Sequence, residues 1–243
     1  MMYLYLLLNL GSISIPFLYS FHKKMNFIKQ WKSVLTAILL VAILFVIWDV
    51  IFTHHGVWGF NNNYHLPFLI AGLPIEEILF FICIPYASIF IHYSLAYFKP
   101  SLMLSEKTVR LVTILLVLIV VLVLIFHSDK LYTSVNYTLL TFSLLLGLFF
   151  GIQILRRFYI SFLIILIPFF IVNGVLTGSF ISEPIVWYNN LENLGIRLFT
   201  IPIEDVGYAF NLLFLVVFFN EKLKQSKLTV FRLKLYSNLL IGF

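Results

Sequence analysis

Charge is scarce in this sequence. Of its 243 residues sixteen are Lys or Arg and ten are Asp or Glu, 11% in all, too few to coat a water-soluble globule of this length. Cysteine is nearly absent, and the single Cys83 excludes an intrachain disulfide and a multi-cysteine metal site. No glycine-rich phosphate fingerprint is present, which argues against a nucleotide or flavin fold. The aspartates Asp49, Asp129 and Asp205 are scattered rather than clustered, so a magnesium-diphosphate site is not expected. The last apolar run, residues 203–220, contains no lysine, which excludes a retinal Schiff base there. His54, His55 and His65 share one loop without a second histidine cluster to complete a metal site, and no metal is expected.

What is abundant is apolar: 62% of the chain is hydrophobic, 18% is aromatic and the mean hydropathy is +1.04. The solvent must be lipid. Backbone groups in lipid have to be satisfied within each segment, so apolar runs of about 17 to 25 residues read as membrane-spanning helices. Seven runs are placed at 2–21, 33–52, 74–98, 108–127, 134–155, 158–181 and 203–220. The expected fold class is therefore all-α and integral to a membrane, multi-pass, in the bacterial cytoplasmic (inner) membrane. The first run has Lys23 and Lys24 after it and no basic segment before it, and is expected to be a retained span.

The net charge of +6 does not point to nucleic acid, because the cations alternate by loop. Lys23, Lys24, Lys29 and Lys32 follow the first run; Lys99, Lys107 and Arg110 the third; Arg156 and Arg157 the fifth; Lys222, Lys224, Lys227, Arg232 and Lys234 the last. Only Lys130 and Arg197 fall in the other loops. The positive-inside rule then puts the amino terminus outside and the carboxyl terminus in the cytoplasm, with the basic tail touching membrane lipid.

The two remaining long loops resemble each other. Asp49, Thr53, Trp58, Phe60-Asn61 and Leu73-Pro74-Ile75-Glu76-Glu77 in the first half are matched in order by Asn173, Thr177, Trp187, Tyr188-Asn189 and Ile201-Pro202-Ile203-Glu204-Asp205. This predicts an internal duplication: a three-helix repeat in residues 1–100, a connecting helix in 101–130 that restores the orientation, a second repeat in 131–221 and a basic tail in 222–243. In that 3+1+3 parallel arrangement a pseudo-twofold axis along the membrane normal brings the two acidic motifs toward one cavity.

Carboxyl groups at the edge of hydrocarbon are costly and need a partner or a function. Pro74 and Pro202 read as first-turn prolines, which places Glu76, Glu77, Glu204 and Asp205 in first helical turns, where the helix dipole favours anions. Acids at a helix start are ordinary, but two equivalent pairs in a duplication point to chemistry. Confined carboxyls tend not to ionise together. Such a set can supply a protonated acid and an ionised base, as an isomerisation without a cofactor requires. Asp49, Trp48, Asn61, Asn173, Trp187 and Tyr188 are the candidate supports or pocket residues, and the nearby aromatic faces could stabilise a cation.

These residues resemble the membrane-bound lycopene cyclase family, found as heterodimeric pairs of small subunits and as fused chains. Trp48-Asp49, Gly59-Phe60-Asn61 and Gly72-Leu73-Pro74-Ile75-Glu76-Glu77 with Phe80-Phe81 are similar to the first-subunit pattern. Asn173-Gly174, Leu176-Thr177-Gly178, Trp187-Tyr188-Asn189, Gly195-Ile196-Arg197 and Thr200-Ile201-Pro202-Ile203-Glu204-Asp205 are similar to the second. The resemblance implies a redox-neutral cyclisation of the psi ends of lycopene to gamma-carotene and beta-carotene, with no cofactor. It carries the catalytic role over to Glu76, Glu77, Glu204 and Asp205 without dividing acid from base. It implies a lipophilic carotenoid substrate and leaves room for association with other carotenoid enzymes. An epsilon ring or a modified carotene is the near alternative. A 3+1+3 small-molecule transporter is the distant one, although its acids would be expected at midplane, and Gly147, Gly151, Gly174 and Gly178 are the sole candidates for broken helices.

Overall fold

The computed structural model describes the backbone of residues 2–241 and the side chains of residues 2–226. The described residues form seven α-helices: α1 Leu4–Tyr19, α2 Trp31–His54, α3 Ile75–Phe98, α4 Glu106–Phe126, α5 Leu131–Phe150, α6 Ile152–Leu176 and α7 Glu204–Ile241. Six are long and apolar enough to cross a membrane, α2 being extended by a 3-10 turn at Phe27–Gln30. The exception is α1. Its 16 residues rise about 24 Å at 1.5 Å each, less than the roughly 30 Å of a hydrocarbon core. Large apolar side chains such as Leu40, Ile43, Leu118, Phe149 and Ile167 stand exposed along the helices, as the outer surface of a multi-pass membrane protein requires.

Two boundaries differ from the sequence reading. The turn expected at Arg156 and Arg157 lies instead at Gly151, which caps both α5 and α6 with φ −144° and ψ 28°. Both arginines are then in the first turns of α6. There they fasten the connection between α3 and α4: Arg156 donates to the Leu104 carbonyl and Arg157 to the Pro100 carbonyl. The second difference is α7, which continues past residue 220 to Ile241 where a separate tail was expected. Lys222 and Lys224 lie on this extension, while the side chains of Lys227, Arg232 and Lys234 lie outside the described residues.

The helices pack around a central pair. α1 and α2 lie against α3, α5 and α6 lie against α7, and the two groups join where α2 meets α7 and α3 meets α6. α4 sits outside, against α5 and α6. A continuous aromatic and aliphatic core runs through the middle, with Phe45, Phe81, Phe158 and Phe214 fully enclosed. α7 is the most buried span and α4 the least.

Short strands organise the loops at the end where α3 and α7 begin. β1 Trp58–Phe60 pairs antiparallel with β4 Val186–Tyr188, joining the loops of the two halves in the register Trp58↔Tyr188, Gly59↔Trp187 and Phe60↔Val186. The remaining strands form two hairpins, β2 Leu69–Ile70 with β3 Leu73–Pro74, and β5 Arg197–Leu198 with β6 Ile201–Pro202. Each hairpin delivers the chain directly into an acid-bearing helix. The first turns through Ala71 and Gly72, both at positive φ, the conformation that tight two-residue hairpins use. The prolines accordingly stand just outside the helices and not in their first turns. Pro74 is the extended N-cap of α3, and Pro202 ends β6 two residues before α7.

Candidate active site

The four motif acids all fall in first helical turns, but they face two ways. Glu76 and Glu204 turn outward under the loops. Glu76 Oε1 accepts the Leu66 amide at 2.8 Å, ten residues upstream, and Glu204 Oε1 accepts the Leu194 amide at 2.7 Å, also ten residues upstream. Thr133 adds a second donor to Glu204 at 2.7 Å. The backbone carbonyls of the same two acids are held by Asn9 at 2.8 Å and Asn136 at 2.6 Å. Both side chains are completely buried and each fastens a loop above its helix.

Glu77 and Asp205 turn inward, and both line a single cavity of about 750 Å³. Tyr5 of α1 donates to Glu77; Tyr132 of α5 donates to Asp205 Oδ1 at 2.6 Å. Asp205 Oδ2 also receives Asn173 Nδ2 at 2.8 Å and the Tyr188 hydroxyl at 3.0 Å. A third carboxyl, Asp49 of α2, opens on the same cavity within hydrogen-bonding reach of Glu77. Its Oδ1 accepts from the Trp58 indole and, at 3.4 Å, from Thr53. Its Oδ2 has no donor among the described residues although only 2% of the residue is exposed.

The other expected supports are spread more widely. Trp48 is buried behind the cavity wall, its ring centroid 4.9 Å from that of Tyr208. Asn61 ties the β1 and β4 loops together, its Nδ2 donating to Glu183 at 2.9 Å and its backbone amide to the Ile185 carbonyl at 2.9 Å. Trp187 lies outside the main cavity, 42% exposed, with its ring over Gly59. The two loop tryptophans have different surroundings: Trp58 lines the cavity and is buried, while Trp187 stands outside it. Tyr188 reaches the cavity, and burial together with the neighbouring Asp205 carboxylate pushes its hydroxyl well above the usual phenol range, so it remains a donor. Of the histidines, His65 bonds within its own loop and His92 bonds Ser161 at 2.6 Å.

Sequence reading missed Tyr5, Asn9, Tyr132 and Asn136. The signal was present: Tyr and Asn four residues apart occur once in α1 and once in α5, and that spacing puts both on one helix face. In each helix the tyrosine reaches the inward acid and the asparagine holds the carbonyl of the outward one.

Below this polar end the cavity is apolar, walled by α1, α3, α6 and α7 through residues such as Phe80, Ile84, Ile165, Phe169 and Leu212. Among the described residues no Lys, Arg or His lines it. From Tyr5 to Pro16 the α1 wall is twelve residues long, about 16 Å of helix rise. Leu7 and Ile15 of α1 and Ile171 of α6 line the cavity yet are at least 60% exposed, so it opens sideways between α1 and α6 onto the apolar surface. Around the carboxyls stand Trp58, Tyr132, Tyr188 and Tyr208, with Trp58 5.1 Å from Tyr132 and 6.3 Å from Tyr208 between ring centroids. The arrangement offers carboxyl groups for proton transfer, aromatic faces for a positive charge and an oily channel for a long apolar molecule.

No curated protein and no solved structure matches the chain. A family model described as lycopene cyclase matches residues 2–95 and 129–223. The gap between the matched segments holds α4, and the segments together include Glu77, Asp49 and Asp205 with all their donors. Covering most of the chain and both acid-bearing helix starts, that match shows that this protein belongs to the lycopene cyclase family.

Proposed function

We propose that this protein is a lycopene beta-cyclase that closes the psi end groups of lycopene by acid and base catalysis alone, giving gamma-carotene and then beta-carotene. The observation that carries the reading is the meeting of one carboxyl from each acidic motif, Glu77 and Asp205, at the polar end of one apolar cavity. The net reaction is an isomerisation. A proton adds to the terminal double bond and leaves a tertiary cation; the next double bond attacks it, closing the six-membered ring; a ring carbon then releases a proton. No electrons are exchanged, so carboxyl groups suffice. Trp58, Tyr132 and Tyr208 offer ring faces to the cation and few nucleophiles to quench it.

In this reading Glu77 and Asp205 act on the substrate, while Glu76 and Glu204 position the loops and helix starts. The carotene enters from the bilayer through the opening between α1 and α6, one end group at a time, because both acids serve the same cavity. The two halves are a 3+1+3 repeat, residues 1–100 and 131–221 about a connector in 101–130. The twin bonds from Tyr5 and Tyr132, Asn9 and Asn136, and Leu66 and Leu194 support that relationship. The six long helices span a bacterial inner membrane and the shorter α1 packs beside α3 within it, with the acidic helix starts at the outer face and the lysine-rich loops inside.

The test is expression in a bacterium that accumulates lycopene, with pigments separated by chromatography. Monocyclic followed by bicyclic carotenes with beta rings are expected. Unchanged lycopene beside verified membrane-inserted protein would overturn the reading, and epsilon rings would overturn its regiochemistry.

A further inference from the structure

The inward carboxyls are not alike, and their surroundings divide the labour between them. Asp205 accepts three hydrogen bonds, from Tyr132, Asn173 and Tyr188. Donors aimed at both oxygens of a carboxyl favour its ionised form. Glu77 receives one hydroxyl, from Tyr5, and lies against a second carboxyl, Asp49. Asp49 is buried and its Oδ2 faces no donor among the described residues. Among the described residues no cation lines the cavity to neutralise the pair. Two adjoining carboxyls in such a place do not both ionise; they keep a proton between them, and that proton satisfies the otherwise orphaned Asp49 oxygen. The position matching Asp49 in the second half carries Asn173, which can donate but not hold an acidic proton. The asymmetry between the halves is therefore chemical: a carboxyl pair on one side, a carboxylate with an amide donor on the other.

We propose that Glu77, sharing a proton with Asp49, is the general acid that protonates the terminal double bond, and that Asp205 is the general base that removes the ring proton. This assignment rests on the cyclase reading above. In the step, a C–H bond forms at the less substituted alkene carbon as the Glu77/Asp49 pair loses its proton. The ring closes by formation of one C–C bond from the neighbouring π pair. Asp205 takes the proton from the ring carbon, and those C–H electrons become the new double bond. One proton enters and one leaves, so nothing is consumed once Asp205 returns its proton. Of the carboxyl pair, Glu77 is the catalytic residue, and Asp49 positions and retains its proton.

Heavy water separates the two roles. Membranes containing the protein are incubated with lycopene in D2O, and all pigments are analysed by mass spectrometry. The parent is expected to place one deuterium in each ring formed. Asp205→Asn keeps the acid, so protonation is reversible without closure, and recovered acyclic lycopene carries deuterium. Glu77→Gln cannot protonate, and its lycopene stays unlabelled. Asp49→Asn also loses labelling, and Asp49→Glu restores it, which a merely structural role would not predict. Labelled lycopene from Glu77→Gln, or unlabelled lycopene from Asp205→Asn at parental membrane levels, overturns the assignment. A parent that closes no ring is a different result, and removes the cyclase reading itself.

Discussion

Trp58 and Tyr188 stand opposite one another in the β1–β4 ladder, and each sends its side-chain donor to a different cavity carboxyl, Asp49 and Asp205 respectively. Neighbouring strand positions thus hold the acids of α2 and α7 in one mutual geometry. Trp58→Phe leaves Asp49 Oδ1 with only the long Thr53 bond. Weakening the hold on a buried acceptor costs about 1–3 kcal/mol, so turnover should fall by roughly fivefold or more. Tyr188→Phe should cost less, because Asp205 keeps Tyr132 and Asn173. Initial rates of cyclic carotene formation in isolated membranes check both; equal rates for parent and Trp58→Phe would contradict the linkage.

The same ladder depends on a glycine. A Cβ at Gly59 would sit 2.3 Å from Cζ2 of the Trp187 ring, too close for the indole to stay. Gly59→Ala should therefore lower thermal stability by about 1–3 kcal/mol, the usual range for overpacking, and reduce activity by displacing Trp58 and Tyr188. Combining it with Trp187→Ala should recover most of both losses. Non-additivity in that double-mutant cycle, measured by thermal unfolding in detergent, is the expected result.

The lateral opening makes a third prediction. Gly11 of α1 lines the cavity, and nothing lies within 4 Å of an added Cβ there. Gly11→Trp, whose Cβ meets no neighbour, should obstruct the mouth between α1 and α6 and raise the lycopene concentration needed for half-maximal rate. Removing a mid-helix glycine should leave stability unchanged or raise it by up to about 1 kcal/mol. Parental kinetics in Gly11→Trp would place the entry elsewhere.

Much of this was legible in the sequence because lipid imposes simple rules. Long apolar runs had to be helices, and the paired acids stood out against hydrocarbon. The helix break at Gly151 was not legible, because the residues that follow remain apolar enough to disguise the turn and the arginine pair marks a loop end by charge alone. Nor was the split between Glu76 and Glu77. Adjacent residues in a helix point about 100° apart, but which one faces inward depends on how α3 is rotated against α1 and α2. That Trp58 enters the cavity and Trp187 stays outside it was not legible either, because like positions in the two loops need not share an environment. Tyr5 and Tyr132 were overlooked because one tyrosine in an apolar helix is ordinary; only the repeated Tyr and Asn pair distinguishes them.

The central claim is that the four motif acids divide by direction, Glu77 and Asp205 toward the substrate and Glu76 and Glu204 toward the loops. It is tested most directly by the pigment profile of Glu76→Gln, Glu77→Gln, Glu204→Gln and Asp205→Asn expressed singly in a lycopene-producing bacterium, normalised to membrane protein. A glutamine at 76 or 204 still offers an oxygen to the Leu66 or Leu194 amide, so those two should keep substantial cyclisation. Glu77→Gln and Asp205→Asn should leave lycopene acyclic. Loss of cyclic carotenes in Glu76→Gln or Glu204→Gln, with Glu77→Gln or Asp205→Asn still active, would contradict the account.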